Sequence, residues 1–176
     1  MLYSTRLPVA SLYTRVSNAG VCDLAKRQRG RFGAEMIERA TNAKKIVGLL
    51  RAGKPVMLAG DMDQGVDNPV FVPFFGIPAC TLAAVSRLAR PGRARVVPFV
   101  TEVLPDYQGY KLTIFEPFAD FPSASDEIDA RRMNAFLEEQ VAKFPEQYYW
   151  AHRRFKHRPP GMPALYREAP GSRNIL

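Results

Sequence analysis

Cysteine is scarce in this sequence. Cys22 and Cys80 are the only two in 176 residues, with no CxxC spacing and no companion cluster. That excludes a disulfide-stapled scaffold and predicts a reduced, cytoplasmic-side protein. Histidine is equally rare: His152 and His157 stand five apart in one basic segment with no cysteine nearby, so no zinc pattern forms and no metal is expected. Neither GxGxxG nor GxxxxGKS/T occurs, which leaves a cradled nucleotide phosphate without support, and no cofactor is expected. There is no GxSxG elbow, and neither cysteine has a histidine close by in sequence, so nucleophilic catalysis is not indicated. No apolar run approaches the roughly 18 to 20 residues that span a bilayer. The start, Met1-Leu2-Tyr3-Ser4-Thr5-Arg6, lacks a signal peptide's charged-then-apolar order, so no spanning helix is expected.

Hydrophobic residues make up 47% of the chain and charged residues 24%, a globular composition that excludes disorder and collagen. The length suits one domain with a real core. A net charge of +8 implies attraction to something acidic: nucleic acid, an anionic membrane surface or an acidic protein.

Along the chain, Leu2 to Val16 reads as a short strand and loop broken by Pro8. Ser17 or Asn18 can cap a helix that Gly30 ends, leaving Arg27, Arg29 and Arg31 at a helix-to-loop junction. A second helix runs from Thr41 or Asn42 through Ile46, Val47, Leu49 and Leu50 to Gly53. Pro55 to Gly60 is the apolar run of a strand buried on both faces of a parallel sheet, and helix followed by buried strand argues for α/β. Val70 to Pro78, punctured by prolines, is incompatible with a regular central strand and suits either a loop lining an apolar cavity or core-covering chain. Thr81 to Arg90 reads as a helix closed by Pro91-Gly92, and Arg95 to Val100 as a strand. Tyr110 to Phe115 alternates like a half-exposed antiparallel partner. Ser123 and Asp126 open a long helix carrying Met133, Phe136, Leu137, Val141 and Phe144, expected to pack across the sheet. Pro145 begins a further helical turn that carries Tyr148 to Arg158, and residues 169–176 read as a loose tail.

Two stretches carry candidate chemistry. Asp61-Met62-Asp63-Gln64-Gly65 puts two carboxylates at the carboxyl end of a strand, where open α/β sheets build sites, although a polar turn capping its own backbone fits equally. Tyr148-Tyr149-Trp150-Ala151-His152-Arg153-Arg154-Phe155-Lys156-His157-Arg158 combines apolar aromatic faces with cations that grip phosphate or carboxylate. That mixture suits an anionic amphiphile; the competing reading docks the aromatics and leaves the cations in solvent.

Gly30-Arg31-Phe32-Gly33, Gly60-Asp61-Met62-Asp63-Gln64-Gly65, Val70-Phe71-Val72-Pro73-Phe74-Phe75-Gly76 and Pro145 to Lys156, in that order, resemble the bacterial lipid A biosynthesis acyltransferases, the late lauroyl and myristoyl transferases. The likeness runs from about Val16 to Met162. It implies an α/β fold with a mixed, largely parallel sheet flanked by helices, like that of the glycerolipid acyltransferases, here incomplete on the amino-terminal side. Residues 1–168 would form the carboxyl-terminal part of such a domain, ahead of the 169–176 tail.

The resemblance further implies a transferase at the cytoplasmic face of the bacterial inner membrane, moving an acyl chain from acyl carrier protein to a hydroxyl of a Kdo-bearing lipid A precursor. Arg31 matches an arginine near the acyl carbonyl, where a guanidinium can stabilise a developing oxyanion. Asp61 matches an acidic residue able to orient Arg31 or the acceptor; an Arg31–Asp61 salt bridge without catalytic role is the competing reading. His152, Arg153, Arg154 and Lys156 match the family's closing motif, whose cations would meet phosphates, Kdo carboxylates or the carrier protein. The sequence departs from the family at the general base, HxxxxD or HxxxxE: five residues after His152 stands His157, and five after His157 stands Met162. Two readings follow: a truncated acyltransferase lacking its catalytic histidine, or a non-catalytic basic protein that binds anionic lipid or acyl carrier protein. Nucleic acid fits the charge, but leaves the apolar Val70 to Phe75 stretch without a use, and is not an expected partner.

Overall fold

The computed structural model describes residues 9–39, 43–63 and 69–167, and the chain divides into two units. The first comprises Met1–Ala59 and Ala84–Pro122, the second Gly60–Ala83 and Ser123–Leu176. The Thr41/Asn42 helix start, Gln64-Gly65 and the 169–176 tail lie outside the described residues.

In the first unit, strands β1 (Ala10–Tyr13), β2 (Glu35–Glu38) and β3 (Val56–Met57) form a parallel sheet in the order β2-β1-β3. Each parallel pairing needs a crossover, and the sequence supplies helices for it: α1 (Ala19–Gly30) and α2 (Ala43–Arg51). Asn18 caps α1, its Oδ1 accepting from the Val21 N–H at 3.2 Å, while Arg27 and Arg29 stand in the last turn against the negative helix end. Gly53, at φ 77°, ends α2 as expected: its N–H reaches the Leu50 carbonyl and the Lys54 N–H that of Leu49. Central β1 is buried at Ala10 and Ser11, but β3 departs from the expected doubly buried strand. It is two residues long and half-buried, because an edge strand has a neighbour on one side only.

Helix α3 (Ala84–Gly92) buries Val85, Leu88 and Ala89 and packs on α2. The approach is close: a Cβ added at Gly92 would lie 2.7 Å from Leu50 Cδ1. Strands β4 (Val70–Phe74), β5 (Ile77–Thr81), β6 (Phe99–Val103) and β7 (Tyr110–Ile114) complete the set. The β6–β7 hairpin is antiparallel from Phe99↔Ile114 to Val103↔Tyr110. The strand expected at Arg95 starts only after Pro98, which has no N–H to donate.

The second unit rests on the β4–β5 hairpin and helix α4 (Asp126–Lys143). Here the proline-punctured run is regular after all. The two-residue loop Phe75-Gly76 has positive φ at both positions, 47° and 77°, the geometry that a tight hairpin requires. Pro73 faces Pro78 next to the closing pair Phe74↔Ile77, where backbone N–H groups point away from the partner strand, so neither missing donor breaks the ladder. Val70, Val72 and Phe74 alternate inward, and Val70 and Val72 pack with Ala83 and Ala130. Thr81, expected to open a helix, instead ends β5 opposite Val70, and α3 starts three residues later. Ser125 caps α4 through the Ile128 N–H, and the buried Asp129 carboxylate accepts the Ser123 N–H.

The described strands therefore form three small sheets, one parallel and two antiparallel, in a mixed α/β arrangement. Among the described residues no helix is long and apolar enough to cross a membrane.

Candidate functional site

The second unit brings the acidic segment after Ala59 onto the basic, aromatic segment after Gln147. The latter is not the expected helix. Beyond the short 3-10 turn Pro145–Gln147 it descends in turns, with N–H to carbonyl bonds from Trp150 to Tyr148, His152 to Tyr149, Arg154 to His152 and Lys156 to Arg153. Such turns alternate direction: Arg153 and Lys156 are exposed, while Arg154 is 3% exposed.

Arg154 enters the unit above Phe74, with its guanidinium carbon 5.3 Å from the ring centroid. Its Nη1 donates to the Cys80 carbonyl, and its Nη2 to Thr81 Oγ1 at 3.1 Å and to Asn134 Oδ1 at 3.3 Å. Asn134 in turn donates to Thr81 Oγ1 and to the Pro73 carbonyl. Among the described residues Arg154 has no carboxylate partner, and its Nε has no acceptor. Arg158 repeats the pattern, Nη1 donating to the Pro78 carbonyl at 2.6 Å. Pro78 and Cys80 lie two apart on β5, so their carbonyls leave the same outer edge, and arginine side chains take the place of a missing strand.

The acidic segment joins through Asp63, whose side chain is fully buried. Its N–H donates to His152 Nε2 at 2.8 Å; its Oδ2 accepts the His157 N–H at 2.8 Å, and its Oδ1 lies 2.6 Å from His157 Nδ1. Asp61 is half-buried, close enough to Tyr148 to act on it electrostatically. Burial, and secondarily the Asp61 charge, push the Tyr148 phenol up to about 12, against the opposing pull of Arg154. Tyr148 packs on Phe74 and edge-on against Trp150, which is 54% exposed and donates Nε1–H to the Pro145 carbonyl. Tyr166 fastens the far side: its hydroxyl accepts the Phe155 N–H and its ring lies beneath Arg153.

Of the residues singled out in sequence, Asp61, His152, Arg153, Arg154 and Lys156 thus share the second unit. Arg31 belongs to the first, at the carboxyl end of α1, where its Nη1 donates to Gln28 Oε1 at 3.1 Å and its guanidinium lies over the Phe32 ring. Sequence reasoning passed over Asn134, and it placed Asp63, His157 and Arg158 in the two candidate stretches without giving any of them a role. Asn134 carried a signal: it interrupts the stripe formed by Ala130, Leu137 and Val141 on α4, and a polar residue on a buried stripe needs partners. Arg158 carried none, since its acceptor is a backbone carbonyl.

The family model described as bacterial lipid A biosynthesis acyltransferase matches residues 1–157. Against the lipid A biosynthesis lauroyltransferase of Escherichia coli strain K12, the chain is 39% identical over 139 residues, 78% of this chain and 45% of that protein. Against the palmitoleoyltransferase of the same strain it is 34% identical over 160 residues, 90% of this chain and 52% of that protein. Against its myristoyltransferase it is 38% identical over 137 residues, 76% and 41% of the two. The chain spans about half the length of the curated relatives it matches.

Proposed function

Since the chain belongs to the bacterial lipid A biosynthesis acyltransferase family, we propose that it serves in moving a fatty acyl chain from acyl carrier protein to a hydroxyl of a Kdo-bearing lipid A precursor. One observation carries the reading: the segment matching the family's closing motif holds Arg153 and Lys156 in solvent on a framework of buried bonds. Cations carried on a held backbone of this kind meet phosphate or carboxylate without the added entropy cost of ordering the segment itself. Arg31 is assigned to the acyl carbonyl, Asp61 to orienting a partner in the site, and His152 and Arg154 to holding the motif. The exposed Tyr149 and Trp150 beside these cations suit the headgroup region of an anionic inner-membrane surface, with the protein peripheral on its cytoplasmic face.

The family's general base requires a histidine five residues before an acid, and neither histidine of this chain has one. That favours a second reading, a chain that binds lipid or carrier protein and performs no transfer unaided. Incubating the purified chain with acyl carrier protein bearing a labelled acyl group, together with the Kdo-bearing precursor, separates the two. Binding of precursor without transfer supports the second reading, and transfer that Arg31→Ala abolishes supports the first. Equal, salt-sensitive binding of DNA and precursor would sink both.

A further inference from the structure

Both histidines of the chain meet Asp63 through three bonds, and the two that involve ring nitrogens fix their proton positions. A backbone N–H can only donate, so His152 Nε2 is an acceptor and a neutral ring carries its proton on Nδ1. A carboxylate can only accept, so His157 Nδ1 is the donor to Asp63 Oδ1, which leaves Nε2 as the remaining nitrogen of a ring 44% exposed. The bonds fall at the two ends of the Arg153–Lys156 stretch, whose middle is anchored by the Arg154 guanidinium bonds and by the Phe155 N–H to the Tyr166 hydroxyl. With Arg154 pinned inside, the direction in which the exposed Arg153 and Lys156 leave the segment depends on how its two ends are tied. We infer that Asp63 is a positioning residue of this basic segment, setting the tautomers of both histidines and thereby aiming Arg153 and Lys156 at an anionic oxygen, the phosphate or carboxylate of a lipid. The identity of that ligand rests on the function proposed above; the positioning does not.

Asp63→Asn decides it, because the amide preserves shape. Its oxygen can still accept the His157 N–H, while its NH2 group meets Nδ1 as a donor and forces the His157 proton onto Nε2. The test combines imidazole nitrogen NMR of the full chain with its binding to phosphatidylcholine vesicles, with and without a phosphorylated lipid A precursor, and with inorganic phosphate as competitor. The expected result has four parts. In the wild type both rings are protonated at Nδ1. In Asp63→Asn the His157 tautomer switches while the melting profile keeps its cooperativity. Precursor binding falls about tenfold, the scale of one charge-assisted contact. The Arg153→Ala/Lys156→Ala double variant loses as much binding with both tautomers unchanged.

Two results overturn the inference: a wild-type His152 protonated at Nε2, or an Asp63→Asn variant that switches tautomer yet binds like wild type. Competition by millimolar inorganic phosphate alone would assign the contact to a bare phosphate, and its failure to a lipid headgroup. If the wild type does not distinguish precursor vesicles from plain ones, the functional reading falls, and the NMR result alone then decides the positioning role.

Discussion

Arg154 and Thr81, 73 residues apart, meet through a buried hydrogen bond from Nη2 to Oγ1 at 3.1 Å. The bond belongs to a set that also takes in the Cys80 carbonyl and Asn134, so the guanidinium's planar fork answers three acceptors at once. Lysine has neither the fork nor the reach.

Arg154→Lys is accordingly expected to destabilise the second unit by about 2–4 kcal/mol, since it leaves buried acceptors unanswered and a point charge in an apolar setting. Chemical denaturation with a probe in the second unit, such as Trp150 fluorescence, reads the loss. A change below about 0.5 kcal/mol would mean that the set is not formed in solution.

Gly92→Ala places a methyl group 2.7 Å from Leu50 Cδ1 and 2.9 Å from Leu50 Cβ, too close for carbon. We expect a loss of about 1–3 kcal/mol as α2 and α3 separate, partly recovered in the Gly92→Ala/Leu50→Ala double variant. Additive losses measured in that cycle would refute the close approach.

Tyr148 holds its proton more tightly folded than unfolded, about 12 against 10.0. Its contribution is therefore complete below pH 10 and is lost as pH rises toward 12. Stability curves of the wild type and Tyr148→Phe should run parallel up to pH 10 and converge above it. Curves that stay parallel through pH 12 contradict a buried phenol.

Glu35 shows the opposite sign. The hydrogen bond from Lys54, aided by its charge and that of Lys45, holds the Glu35 carboxyl below the usual carboxylate range. The pair's contribution is present above the ordinary value of 4.5 and is lost as pH falls below it. Lys54→Met should flatten that acid limb and change little at neutral pH, as expected of a surface pair in high dielectric. Acid titration of thermal stability in both proteins checks the sign.

What the sequence made legible is what local chemistry decides. Asn18 and Gly53 mark helix ends because caps and left-handed residues act within a few positions, and Tyr110 to Ile114 forms the expected antiparallel partner, although its burial does not follow its alternation, since Tyr110 and Ile114 are exposed. The hairpin at Val70 was misread because two prolines forbid a central strand but not two edge strands placed so that their missing donors face outward. In the candidate site, residue types were readable and partners were not. The Asp63–His157 contact spans 94 positions, and no spacing rule links them. His152 drew attention through the family motif, yet its acceptor role depends on one backbone N–H that only the folded chain supplies.

The arginines along the outer edge of β5 have a further consequence. A two-stranded sheet offers unpaired carbonyls on both flanks, a ready template for a strand from another molecule. Arg158 and Arg154 fill those positions on β5 at Pro78 and Cys80, and Asn134 fills the one at Pro73 on β4. The same side chains that hold the basic segment thus occupy the carbonyls on which a strand from another copy would pair, and replacing them leaves those positions open to it.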